Sequence, residues 1–173
     1  PAILWNDGRA KAECDELQAA LPDLPSQAGV VAMPGMTAPK LMWLRKHEPE
    51  IFARIKTVLL PKDYIRFCLT GEKVTEMSDA AGTLWLDEES RSWNFDAIAA
   101  TGMDIAQLPR LAEGSDPTGH LRGELAARWD MKPTVIVAGG GGDAATGGIG
   151  VGAVSHGDGF ISLGTSSQIF VAS

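Results

Sequence analysis

Residues 134–152 read TVIVAGGGGDAATGGIGVG, and the rest of the chain is arranged on either side of this run. Thr134-Val135-Ile136-Val137 follows Pro133 and is β-branched throughout. That pattern predicts a short, fully buried strand. The strand breaks into Gly139-Gly140-Gly141-Gly142. Four glycines carry a backbone entropy cost, so they predict a tight turn or a close backbone approach to a ligand. Asp143 follows at once, then the small residues Ala144-Ala145-Thr146. This places an acid at the start of a helix and at the C-terminal edge of a strand, where ligands of open α/β sheets bind. The same position also suits a plain cap, whose carboxylate only accepts backbone N–H groups.

Two phosphate-binding loops can be tested against the run. A Walker A loop needs Lys-Ser/Thr after its last glycine, and the sequence has Asp143-Ala144 there. A dinucleotide loop fits Gly139-x-Gly141-x-x-Ala144 better, but it also requires an acid closing a second strand roughly 20 residues on. Asp158 has the distance, yet it precedes the next apolar run instead of ending it. That run, Phe160-Ile161-Ser162-Leu163, passes through Gly164-Thr165-Ser166-Ser167 into Gln168-Ile169-Phe170-Val171. It reads as a hairpin whose tip offers backbone N–H and hydroxyl donors suited to a phosphate chain. An ordinary hairpin turn uses the same residues.

The chain has 173 residues, 45% hydrophobic and 21% charged, which is globular composition. A net charge of −7 argues against a nucleic-acid or anionic-membrane surface. No apolar run is long enough to span a bilayer. Cys14 and Cys68 lie in apolar helical patterns and read as reduced core residues, which points to the cytoplasm. With three histidines and no clustered cysteines, no metal-ligand set is predicted.

Along the chain, residues 2–5 read as the end of a strand, followed by a turn at Asn6-Asp7-Gly8-Arg9. A helix is predicted over 10–21, with Cys14, Leu17 and Leu21 on one side. Thr37 and Pro39 open a second helix. Val58-Leu59-Leu60 predicts a short strand, and Pro61 a helix that carries Tyr64, Phe67 and Cys68 toward the core and stops at Gly71. Met77 to Thr83 fits no pattern. Helices are predicted over 94–101 and 123–129. Helices and short strands alternate, which is an α/β arrangement. Both ends read as cut from a longer chain.

Several of these segments, taken together, resemble the FGGY carbohydrate kinases. Gly35-x-Thr37-x-x-Lys40-Leu41-x-Trp43-Leu44-x-Lys46-His47 resembles that family's first signature, and Trp5-Asn6-Asp7-Gly8-Arg9 resembles its WxDxR segment. Leu60-Pro61-Lys62-Asp63-Tyr64, Thr70-Gly71-Glu72, Ser78-Asp79-Ala80-Ala81-Gly82-Thr83, Gly142-Asp143 and Ser162-Leu163-Gly164-Thr165-Ser166 continue the likeness in the family's order. The MPG-TAPKL, LLPKDY and SDAAGT-WLD details are most similar to the D-xylulose-phosphorylating members. The resemblance implies an α/β, ribonuclease-H-like fold of the actin/hexokinase/Hsp70 type. Residues 1–152 would be the later part of the N-terminal, sugar-side domain, and 153–173 the hinge and first hairpin of the ATP-side domain.

The implied reaction is transfer of the ATP γ-phosphoryl group, with Mg²⁺, to a hydroxyl of D-xylulose, giving D-xylulose 5-phosphate. By the same resemblance Asp143 is the general base and Trp5 a sugar contact; Asp7 and Arg9, paired opposite charges in the turn after Trp5, and Ala144 beside the base are expected to bind the sugar with it. Gly164, Thr165 and Ser166 hold the ATP phosphates. The chain departs from the family pattern in its fourth glycine and in Ala144, where an Asn or Gln usually follows the aspartate. Partners are then a small sugar and ATP, with no nucleic acid and no membrane, and a homodimer is one open arrangement. Another ketose or polyol, or a non-catalytic sugar- or nucleotide-binding module of the same fold, are the alternatives.

Overall fold

The computed structural model describes residues 3–164 and 167–172. The chain divides into two compact units, Pro1–Gly139 and Gly140–Ser173. The expected domain boundary at 152/153 falls inside the second of these.

The first unit begins with α1 (Lys11–Ala20), α2 (Leu24–Gln27), α3 (Thr37–His47), α4 (Pro49–Phe52) and α5 (Pro61–Thr70). The predicted helix over 10–21 is α1, which turns Leu17 and Cys14 inward. Pro61 opens α5 because its missing N–H is not needed in a first turn, and Gly71 ends it in a left-handed conformation (φ +87°). Strand β1 (Val74–Glu76) runs straight into α6 (Met77–Ala80). There the Glu76 carboxylate caps the helix, accepting the N–H groups of Ser78 at 2.8 Å and Asp79 at 3.0 Å. Residues 77–83, which fit no pattern in the sequence, are therefore a capped turn of helix followed by a 3₁₀ turn.

Strands β2 (Leu86–Asp87) and β3 (Ser92–Trp93) form a short hairpin, followed by α7 (Phe95–Ala100), which is capped by the Asn94 side chain. Strand β4 (Arg110–Ala112) pairs in parallel with β1, Val74 opposite Arg110 and Glu76 opposite Ala112. Strand β5 (Pro117–His120), α8 (Gly123–Arg128) and β6 (Ile136–Ala138) complete the unit, with β5 and β6 antiparallel. The core gathers Leu17, Leu24, Ala38, Leu84, Trp85 and Ile98 from elements far apart in sequence. Full burial of a large apolar side chain of this kind is worth about 1.5–3 kcal/mol.

Four local expectations need correction. Residues 58–60 form no strand: Val58 N–H reaches Gln107 O at 2.8 Å, and no ladder continues from it. Ile3 and Leu4 belong to no regular element, and Trp5 sits in a turn closed by Asp7 N–H on Leu4 O at 3.1 Å. The strand before the glycines is shifted to Ile136–Ala138 and is not buried: among the described residues β5 is its single paired neighbour, and Ile136 is 55% exposed. In α5 the buried residues are Asp63 and Arg66, while Tyr64 and Cys68 are exposed. An ion network inside the unit, described below, claims the side of the helix that aromatic spacing had assigned to apolar residues.

The second unit holds α9 (Asp143–Val151) and an antiparallel hairpin of β7 (Gly159–Leu163) and β8 (Ser167–Val171). The hairpin follows the sequence reading. Phe160 and Phe170 stack across it with centroids 5.3 Å apart, and Gly148 of α9 lies against the Phe170 ring.

Candidate functional site

A cavity of about 450 Å³ opens in the first unit. Its walls come from four separate stretches: Ile3 and Trp5, the start of α3 with Gly35, Thr37 and Lys40, residues 58–61, and Asp79 with Gly82. Trp5 is 73% exposed, so its ring is a wall of the cavity and not part of the core. Gly35 is required here by close approach, since a Cβ would run into the Trp5 carbonyl oxygen. The loop before α3 thus fits against the Trp5 backbone, and Thr37 and Lys40 enter the cavity wall.

Lys40 is half-buried and makes no ion pair among the described residues. Desolvation pulls its ammonium below the ordinary lysine value, and the nearby Asp7 carboxylate opposes that shift. Asp79 moves the other way. Desolvation raises its carboxyl above the ordinary value, against the attraction of Lys62. Lys62 Nζ lies 3.3 Å from Asp79 Oδ2, 3.3 Å from Glu76 Oε1 and 2.7 Å from Asp63 Oδ1. Asp63 Oδ1 also meets Arg66 at 3.1 Å. Arg66 donates to Val74 O at 2.5 Å and to Gly139 O. This cluster fixes Asp79 at the cavity wall from behind. The site therefore presents an aromatic face, a cation, a carboxylate and a hydroxyl, a set of groups that can bind a small polyhydroxylated ligand.

Asp7 and Arg9 pair with each other. Arg9 Nε donates to Oδ1 at 3.0 Å and Oδ2 at 2.9 Å, and Arg9 N–H donates to Oδ1 at 3.0 Å. The hydrogen bonds from Arg9 hold the Asp7 carboxyl below its ordinary value, and Asp7 raises Arg9 in return. The guanidinium lies 4.8 Å from the Trp43 ring centroid, and Trp43 stacks on His47. The pair closes the turn that presents Trp5, and neither member is among the described lining residues of the cavity.

In the second unit, Gly142 is the residue before α9, and Asp143 is its first helical residue. Asp143 is exposed, and its Oδ1 accepts the Ala144 N–H at 2.8 Å. Ala144 is half-buried behind it. Gly164 lies in the bend between β7 and β8, while Thr165 and Ser166 fall outside the described residues. Gly139, the first of the four glycines, belongs to the first unit. A Cβ there would collide with the Glu113 carbonyl oxygen, so this glycine is a packing requirement.

Lys40, Thr37 and Asp79 were not among the residues singled out as ligand contacts. All three stand in motif segments quoted above, and for Lys40 the signal was a cation one helical turn after Thr37. For Asp79 the flanking small residues gave no helical or strand pattern to place it.

A model of the FGGY family of carbohydrate kinases, N-terminal domain, matches residues 1–150. The chain is 51% identical to a xylulose kinase of Escherichia coli (strain K12) and 48% to one of Klebsiella pneumoniae, over all of this chain and 36% of each relative. Among solved structures, one described as a xyloylose kinase from Brucella ovis matches with a TM-score of 0.93 at 50% identity, over 97% of this chain and 34% of that one. A ligand-bound xylulose kinase from Lactobacillus acidophilus matches with a TM-score of 0.89 at 25% identity, over 96% and 34%. The chain spans about a third of the length of the relatives it matches. With the WxDxR turn, the first-signature helix and the Gly-Asp helix start each formed as separate structural pieces, the chain belongs to the FGGY family of carbohydrate kinases and has their ribonuclease-H-like fold.

Proposed function

We propose that the protein is an ATP-dependent kinase of D-xylulose, producing D-xylulose 5-phosphate. Likeness to xylulose kinases over the whole length of the chain carries this reading. The exposed Trp5 ring, with Lys40 and Asp79 in the same cavity, supports a sugar ligand in the first unit. Trp5 offers a face for the sugar's C–H groups, while Lys40 and Thr37 can donate to its oxygens and Asp79 can accept from its hydroxyls. Asp7 and Arg9 support that face by fixing the turn.

In the proposed reaction a sugar hydroxyl oxygen attacks the γ-phosphorus of ATP. The bond to the β–γ bridging oxygen breaks, ADP leaves, and the hydroxyl proton passes to the Asp143 carboxylate. Phosphoryl transfer has a loose transition state, so the base acts late and positioning dominates. The exposure of Asp143 at the first turn of α9 supports that role, since its carboxylate is open to solvent and ligand. Ala144 would meet the sugar through its backbone and methyl group only. Gly164, Thr165 and Ser166 are proposed to hold the nucleotide phosphates. Mg²⁺ binds with those phosphates and needs only one or two protein carboxylates; the described residues contain no cluster of three metal-ligating side chains.

The domain division at 152/153, a homodimer and a cytoplasmic location belong to the same proposal. Light scattering and cell fractionation test the last two. No described helix is long and apolar enough to cross a membrane. The central test is sugar-dependent ADP release by the full-length protein across a panel of ketoses and polyols. D-xylulose should give the highest kcat/KM. Absence of turnover, or preference for another sugar, refutes the assignment.

A further inference from the structure

A second, much smaller cavity lies behind the ion network, walled by apolar groups of Leu60, Trp93 and Leu108. Its volume is about 10 Å³. Asp63, Thr75 and Trp85 also line it, and each is at most 1% exposed. Asp63 Oδ2, Thr75 Oγ1 and Trp85 Nε1 are all buried without a hydrogen-bond partner among the described residues. Buried polar groups are nearly always paired, so three orphan atoms on residues that line one cavity point to a shared partner.

We propose that this cavity is the binding site of one structural water molecule. Its size admits about one water and nothing larger. The chemistry of the wall selects the ligand as well. Trp85 Nε1–H can only donate, which opposes a cation, and the Asp63 carboxylate can only accept, which opposes an anion. Water does both. It accepts from Trp85 Nε1–H, donates to Asp63 Oδ2, and exchanges a third bond with the Thr75 hydroxyl, within the usual number for a buried water.

The site matters because of what Asp63 holds. Its other oxygen, Oδ1, takes Lys62 and Arg66 together. Lys62 continues to Asp79 at the large cavity, and Arg66 to the carbonyl of Gly139 at the head of the glycine run. The water completes the coordination of the carboxylate from which both connections start. This inference is independent of the sugar assigned above.

A crystal structure of the full-length protein that resolves ordered solvent should show a single water within hydrogen-bond distance of all three atoms. Absence of solvent density there, or direct bonding of the three groups to one another, overturns the proposal. Thr75→Val gives the solution readout, because it keeps the shape and removes one partner. With water bound, the melting temperature of the full-length protein should fall by about 1 °C, the effect of one lost hydrogen bond in a protein about three times the length of this chain. In a dry cavity the same change removes an unsatisfied hydroxyl, and an unchanged or raised melting temperature would count against the water.

Discussion

Asp143, Trp5 and Asp79 are single residues whose roles separate cleanly by experiment. Asp143 is exposed and its carboxylate accepts the N–H of its neighbour Ala144, so Asp143→Asn should leave the fold intact. If it is the base, kcat of the full-length enzyme falls by about 10²–10⁴-fold with little change in either KM; steady-state kinetics decides. Trp5→Ala should raise the KM for sugar, on the order of tenfold for a lost aromatic contact, and leave the KM for ATP unchanged. Because Trp5 is so exposed, the melting temperature should hardly move, and a large drop would mean that the ring is structural after all.

Asp79 gives a pH signature. Its folded pKa lies above the ordinary 3.8, with desolvation the main cause. The folded state therefore binds the proton more tightly than the unfolded state, and ionisation of Asp79 costs stability as pH rises from 3.8 through the raised value. Comparing urea midpoints, Asp79→Asn should gain on the wild type as pH rises through that window. A difference that does not vary with pH would show that Lys62 fully offsets the desolvation.

At the scale of elements, α5 is the most informative. Its buried side carries Asp63 and Arg66, and Arg66 joins the first residue of β1 to the residue that follows β6 through the carbonyls of Val74 and Gly139. Removing one partner of a buried ion pair costs about 3–5 kcal/mol, because the other charge is left uncompensated. Arg66→Ala should therefore lower the urea-unfolding free energy by about that amount. A loss below about 1 kcal/mol would place Arg66 with weak surface pairs. The glycine run divides between two duties. Gly139 is there because the Glu113 carbonyl lies against its α-carbon, and the ligand-approach argument applies only to the glycines after it. The cap of α6 by Glu76 shows the same economy, since one buried carboxylate both starts the helix and receives Lys62.

For the whole molecule, the 173 residues cover about a third of the related kinases. On their own they should release no ADP in the presence of D-xylulose and ATP, while the full-length protein should; turnover by the 173-residue chain alone would contradict the proposed division of labour. The sequence by itself determined the helix at 11–20, the Pro61 start and Gly71 stop of α5, the helix that follows Asn94, the hairpin at 159–171 and the family motifs. Those features rest on interactions within a few residues: caps, turns, proline geometry and alternation along a strand. Tertiary structure alone decided that α5 buries charge instead of tyrosine, that residues 58–60 find no strand partner, and that Lys40 and Asp79 join Trp5 in one cavity. Each of those outcomes depends on what a distant segment places opposite the residue, and local sequence carries no information about that neighbour.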